Sequence, residues 1–140
     1  MRAAATVLRI FVGLDGLTLI VLGLLFWTGN ALSLVPLHML LGIALVVALW
    51  TLCVLAAIAG EQLGLVALAA LWGLIVPILG LTQTRLVPGD AHWLIRALHL
   101  LIGIVAVALA QLLAVRIARR HTGPAARRTA ASRTLGGSMG

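Results

Sequence analysis

The chain has 140 residues, of which 63% are hydrophobic and 9% are charged, and its net charge is +7. Soluble domains carry about 25% charged residues, so this composition excludes an ordinary water-soluble fold. The charges are also unevenly spread, and residues 16–60, 62–84 and 97–115 contain no Asp, Glu, Lys or Arg. A membrane-spanning helix needs roughly 20 apolar residues, and all its backbone polar groups must be satisfied within the segment. The sequence therefore predicts an all-α integral membrane protein.

Four transmembrane helices fit these runs, because the first run is long enough for parts of two helices and a turn. The predicted spans are Val7–Trp27, Leu32–Ala59, Leu63–Leu81 and Ala91–Val115. The connections are short, so neighbouring helices should be antiparallel and form a four-helix bundle. A cleavable signal peptide is disfavoured, because the first apolar segment is long and no convincing small-residue cleavage site follows it.

Arginine residues predict the orientation of this bundle. Most of them lie near the N-terminus or after the last span, at Arg2, Arg9, Arg116, Arg119, Arg120, Arg127, Arg128 and Arg133. The positive-inside rule then places both termini in the cytoplasm, in a multi-pass protein of the cell (inner) membrane. Residues 1–120 form the predicted bundle, and residues 121–140 form a predicted disordered basic cytoplasmic tail. The tail has no interleaved aromatic residues, which favours contact with anionic lipid over nucleic acid.

A short pattern occurs twice, as LHMLLGI at residues 37–43 and LHLLIGI at residues 98–104. Each copy places a histidine four residues before a glycine, so His38 shares a helix face with Gly42, and His99 with Gly103. The second and fourth helices run in the same direction, and both histidines should lie roughly 9–12 Å below the outer surface. The repeat is consistent with a duplicated two-helix hairpin about an axis along the membrane normal.

Two facing imidazoles with a gap beside each are what a bis-histidine heme b requires. His38 and His99 would be the axial ligands, and Gly42 and Gly103 would leave room for the porphyrin. Other interpretations remain open. The histidines could bond to neighbouring helices, and the glycines could serve close helix packing. A zinc or copper site would need three or four ligands, with His92 as the third histidine.

Two further residues, Arg96 and His92, share a helix face with His99 and lie nearer the outer surface. Arg96 lies one turn outward, where it could pair with a heme propionate through a charge-assisted hydrogen bond. His92 lies another turn outward and is either a second contact to the cofactor or an interfacial residue. Ionised groups inside membrane spans are costly and usually functional, so the arginine strengthens the heme interpretation.

On these residues the chain resembles the small bis-histidine membrane b-type cytochromes, the cytochrome b561-like four-helix proteins among them. The resemblance covers the bundle but not the tail. Many members hold two hemes with four histidines, whereas only His38 and His99 lie well inside spans here, so one heme b is expected. The resemblance implies single-electron transfer, with a quinone or a redox partner subunit as donor or acceptor.

The position of Asp15 in the first span indicates a different possible function. The first helix places this carboxyl inside the membrane, where it is either a proton site or is capped by Thr18, Thr51 or Gln111. One acidic residue in a small four-helix chain resembles the small multidrug resistance proteins and would imply a proton-coupled transporter. A cofactor-free membrane subunit of a larger complex, or a homodimer, is a third alternative. No nucleophile triad, P-loop or dinucleotide motif is visible, so an enzymatic role would be quinone-linked electron transfer.

Overall fold

The structure, a computed structural model, describes residues 1–120, and this part of the chain is helical without strands. Its helices are α1 (Arg2–Trp27), α2 (Val35–Ile58), α3 (Leu63–Thr82) and α4 (His92–Arg120). Short 3-10 turns precede α2 and follow α3, at Leu32–Leu34 and Gln83–Arg85. All four helices are long and apolar enough to cross a membrane. The predicted class, a multi-pass four-helix protein, is confirmed, while the predicted tail at 121–140 lies outside the described residues.

Helices α2 and α4 form the inner pair of the bundle. They pack against each other, and each also packs against both flanking helices, α1 and α3. Most buried hydrophobic side chains lie in one half of the bundle, which we call the packed half and define as residues 1–14, 46–73 and 107–120. The other half, residues 15–45 and 74–106, is called the open half because far fewer of its side chains are buried.

Small residues explain the close approach of helices at the centre of the bundle. A Cβ atom added to Gly73 would lie 2.8 Å from Nε1 of Trp50, and one added to Gly16 would lie 2.6 Å from Cγ2 of Val107. Helices in lipid associate through such small residues, because lipid offers no hydrophobic drive for their association. Both glycines therefore serve close helix packing.

Two tryptophans, Trp50 and Trp72, link α3 to its neighbours. The indole N–H of Trp50 donates to the carbonyl of Ala70 at 3.1 Å, and that of Trp72 donates to the carbonyl of Ile102 at 2.9 Å. Neither indole is among the residues that line the main cavity of the protein. Both side chains thus serve helix packing.

An ion cluster joins the α2–α3 connection to the end of α4. Glu61 is buried, and its carboxylate pairs with Arg116 at 3.6 Å and with Arg120. This pairing explains why α4 continues to Arg120, beyond the predicted end at Val115, because a buried carboxylate requires cationic partners. From the sequence, these arginines indicated only the topology, and no pattern predicted their contact with the loop.

The other helix ends differ from the prediction by a few residues. Helix α1 begins at Arg2 rather than Val7, because the alanine-rich start has high helix propensity. Helix α2 begins at Val35 rather than Leu32, since the three residues before it adopt the tighter 3-10 turn. Pro36 lies in the first turn of α2, where proline is tolerated.

Candidate functional site

The open half encloses a cavity of about 550 Å³ lined by all four helices. This volume falls within the range of about 300–1,000 Å³ that is usual for small-molecule and cofactor sites. The lining contains every residue that the sequence analysis assigned to heme, namely His38, Gly42, His92, Arg96, His99 and Gly103. The structure therefore brings this predicted set to one site.

The two membrane histidines stand at a spacing that fits a shared metal. The ring centres of His38 and His99 are 6.4 Å apart, and the ring planes are inclined at 51°. A metal–imidazole bond of about 2 Å on each side, with roughly 1 Å from nitrogen to ring centre, separates two opposite ligands by about 6 Å. The distance between the rings agrees with this value.

Both imidazoles are also left with an unsatisfied polar atom. The Nδ1 atoms of His38 and His99 are buried, and neither has a hydrogen-bond partner within residues 1–120. Buried polar groups in folded proteins are nearly always paired, and an unpaired one costs about 1–3 kcal/mol. The two Nδ1 atoms therefore do not make the hydrogen bonds to neighbouring helices that the alternative interpretation requires.

Each histidine lies against a glycine of the preceding helix. A Cβ atom added to Gly23 of α1 would lie 3.9 Å from Cε1 of His38, and one added to Gly80 of α3 would lie 3.2 Å from Cε1 of His99. Neither glycine was predicted from the sequence. Both occupy a similar position in the helix before the histidine, but the α1–α2 and α3–α4 connections differ in length, which hides this similarity.

Gly42 and Gly103 face open space. A Cβ atom added to either would meet no other described atom within 4 Å, and both glycines line the cavity. Glycines that serve close packing, such as Gly73, instead have a neighbouring side chain at the added Cβ position. Between the two interpretations left open by the sequence, the geometry favours clearance for a bound group.

The outer end of the cavity is polar. Arg96 is exposed there and makes no hydrogen bond or ion pair in the described part of the chain. His92 lies with its Nδ1 3.2 Å from the carbonyl oxygen of Leu86, which holds the ring beside the α3–α4 connection. Gln83 and Thr84 also line this end. The sequence analysis placed these two residues in a connecting loop and missed them, as no motif marks them.

Phe26 is a further cavity residue that the sequence did not reveal. Its ring meets the His38 ring edge to face, with centres 5.4 Å apart, and this arrangement is favourable for two rings in contact. The aromatic contact restricts the imidazole from the side of α1. No sequence pattern distinguishes this phenylalanine from the other apolar residues near the end of the helix.

A zinc or copper site with several protein ligands does not fit the structure. Within residues 1–120, no group of three or more His, Cys, Asp or Glu side chains could hold a metal ion. His92 therefore does not join His38 and His99 in one ligand set. A pair of histidines alone is too few for the usual zinc centre, but it is the number that a six-coordinate heme requires.

Asp15 is not among the residues that line the cavity, although its neighbour Gly16 is. Its side chain is 5% exposed, and neither carboxyl oxygen has a hydrogen-bond partner among the described residues. The predicted capping by Thr18, Thr51 or Gln111 is wrong. The two hydroxyls donate to carbonyls four residues earlier in their own helices, and the Gln111 amide donates to the carbonyl of Arg9 at 2.9 Å.

Comparison of this chain with protein-family models, curated proteins and solved structures gave no match. A function must therefore be argued from the residues and the geometry of the cavity.

Proposed function

We propose that this protein is a membrane b-type cytochrome that binds one heme b between α2 and α4 and transfers electrons. The observation that carries the proposal is the pair of half-buried imidazoles, His38 and His99, with ring centres 6.4 Å apart at the wall of the cavity. The glycine one turn below each imidazole faces open space. A packed bundle without a cofactor would have no need of this combination.

Each of these cavity residues has a role in this proposal. His38 and His99 are the axial ligands, while Gly42 and Gly103 give the porphyrin room. Arg96 is the cation for a propionate, because it lies unpaired at the polar end of the cavity. When bound, heme b supplies a reversible one-electron redox centre. The apolar lining keeps water from this centre, which is one means by which proteins set a redox potential.

The physiological reaction partner would be a quinone or a redox partner subunit, and the protein could act as a homodimer.

We also propose that both termini are cytoplasmic in the cell (inner) membrane, because the described arginines concentrate at the end of the packed half. The matching of Gly23 with His38 and Gly80 with His99 supports a duplicated hairpin. A reporter fused to either terminus tests the orientation.

The test of heme binding is the heme content and visible spectrum of the detergent-purified protein, expressed with heme supply. We expect one heme per chain and a sharp reduced b-type band. His38→Ala and His99→Ala should each abolish that spectrum. His92→Ala is the matched control, since His92 lines the cavity without joining the ligand pair, and it should retain the heme. A colourless wild-type protein of full helical content would overturn the proposal.

The second candidate function is a proton-coupled transporter, and the buried, unpartnered carboxyl of Asp15 is the observation that favours it. Cargo held in the cavity would not touch this residue, because Asp15 is absent from the lining. Uptake of organic cations into proteoliposomes under a proton gradient separates the two functions. A transporter would lose uptake with Asp15→Asn and keep it with His38→Ala. A cofactor-free subunit would show neither heme nor uptake.

A further inference from the structure

Asp15 is a buried carboxyl without a hydrogen-bond partner in the described chain, and the proposed electron-transfer site leaves it unused. Glu61, the other buried carboxyl, is paired with Arg116 and Arg120. Asp15 is equally buried, but both of its oxygens lack partners within residues 1–120. A buried carboxylate without a paired cation is sensitive to nearby charges, because charges interact more strongly in low dielectric.

Helix contacts define the depth of Asp15 relative to the two histidines. Gly23 meets His38, and it lies eight residues after Asp15 on α1. At 1.5 Å per residue, His38 is therefore about 12 Å from the level of Asp15 along the axis. Gly16 meets Val107, which lies eight residues after His99 on α4, so His99 is separated from that level by about the same distance. The carboxyl therefore lies level with the inner end of the cavity, which Gly16 and Val107 line.

No charged side chain of the described residues pairs with Asp15. The elements packed against α1 are α2, α4 and the 3-10 turn before α2. The turn has no ionisable side chain, and the titratable or charged residues of α2 and α4 are His38, Cys53, His92, Arg96, His99, Arg116, Arg119 and Arg120. All of them lie at least seven residues along their helices from Val46 or Val107, the residues level with Asp15. On α1 itself, Arg9 is engaged by the side chain of Gln111 at 3.2 Å.

We propose that Asp15 takes up a proton when the heme is reduced and releases it when the heme is oxidised. This inference rests on the proposed function. A one-electron donor, such as a quinol, delivers one electron to the ferric heme, and one proton from water binds the Asp15 carboxylate, so the charge of the bundle is unchanged. Across about 12 Å at an effective dielectric constant near 20, one unit of charge changes a proton affinity roughly tenfold.

The experiment is a potentiometric titration of the heme-loaded protein between about pH 5.5 and 8.5, with infrared difference spectra of the reduced minus the oxidised state. We expect the wild-type potential to fall as the pH rises, and a protonated-carboxyl band to appear on reduction. Asp15→Asn should remove the band and most of the pH dependence. Glu61→Gln is the matched control for a buried carboxyl, and it should behave as the wild type.

Isotope labelling keeps the test valid if Asp15→Asn fails to fold. Aspartate carrying ¹³C in its carboxyl group should shift the band, and the exposed Asp90 is the only other aspartate in the chain. The same labelled band in Asp90→Asn assigns it to Asp15. A heme protein without this band, or with unchanged pH dependence in Asp15→Asn, would overturn the inference and leave the proposed function intact. A protein that binds no heme would overturn both.

Discussion

The packed half and the open half of the bundle consist of the same four helices, but they differ in whether their polar groups have partners. In the packed half, Glu61 is paired with arginines, Gln111 with Arg9, and both indole N–H groups with carbonyls. In the open half, His38, His99 and Asp15 are left with buried atoms that have no partner in the described chain. Unpaired polar groups are costly in the membrane. The difference indicates that the packed half holds the fold together, and it supports the proposed placement of the ligand site in the open half.

Filling the cavity should have the largest effect on heme binding. Gly42→Leu and Gly103→Leu place a side chain in open space beside the ligands, so we expect nearly complete loss of heme with a folded bundle. Gly64→Leu is the matched control, because Gly64 is exposed in the packed half and also has no described atom near its added Cβ. Heme content and circular dichroism measure the two effects. Heme retained by both cavity variants would mean that the group binds elsewhere.

Removing the cations of Glu61 should most weaken the packed half. The Arg116→Ala and Arg120→Ala double variant leaves a buried carboxylate unpaired, and we expect it to lower the free energy of unfolding by about 3 kcal/mol. Glu61→Gln leaves arginines that are 41% and 48% exposed, so its cost should be about 1 kcal/mol. Equilibrium unfolding in mixed micelles measures both. The opposite order would contradict the view that the arginines serve the buried glutamate.

An added methyl group should act differently in the two halves. Gly73→Ala would collide with Trp50 and should cost about 1–3 kcal/mol of unfolding free energy. Gly103→Ala has open space and should be neutral or stabilise the helix by up to about 1 kcal/mol. The same unfolding measurement compares them. Equal destabilisation by the two substitutions would remove the distinction between packing and clearance glycines.

The smallest effect is expected at the mouth of the cavity. Arg96→Gln removes a cation from an exposed position, so heme retention should weaken about fivefold, or roughly 1 kcal/mol. The effect should shrink at high salt, because exposed charge pairs are screened. Arg85→Gln is the control, since Arg85 is exposed but does not line the cavity. Identical heme dissociation rates for the two variants would exclude Arg96 as a propionate partner.

The sequence predicted the four spans and the histidine–glycine pairs of the cavity, because both follow from patterns along the chain. Charge-free runs mark the helices, and the spacing of His38 with Gly42 and His99 with Gly103 fixes a shared face. Contacts between distant segments have no such pattern. Helix rotation and loop length decide such contacts, and composition does not encode them. Examples are the contacts of Glu61 with Arg120 and of Phe26 with His38, and the absence of the expected partners of Asp15.

The most direct test of the account is the low-temperature electron paramagnetic resonance spectrum of the oxidised, heme-loaded protein, because it reports the axial ligands of the iron. The account predicts a low-spin ferric signal typical of two histidine ligands, with one spin per chain, that is lost in His38→Ala and in His99→Ala and kept in His92→Ala. A high-spin signal in the wild type, or a low-spin signal that survives both ligand substitutions, would contradict the assignment of the open half as a bis-histidine heme site.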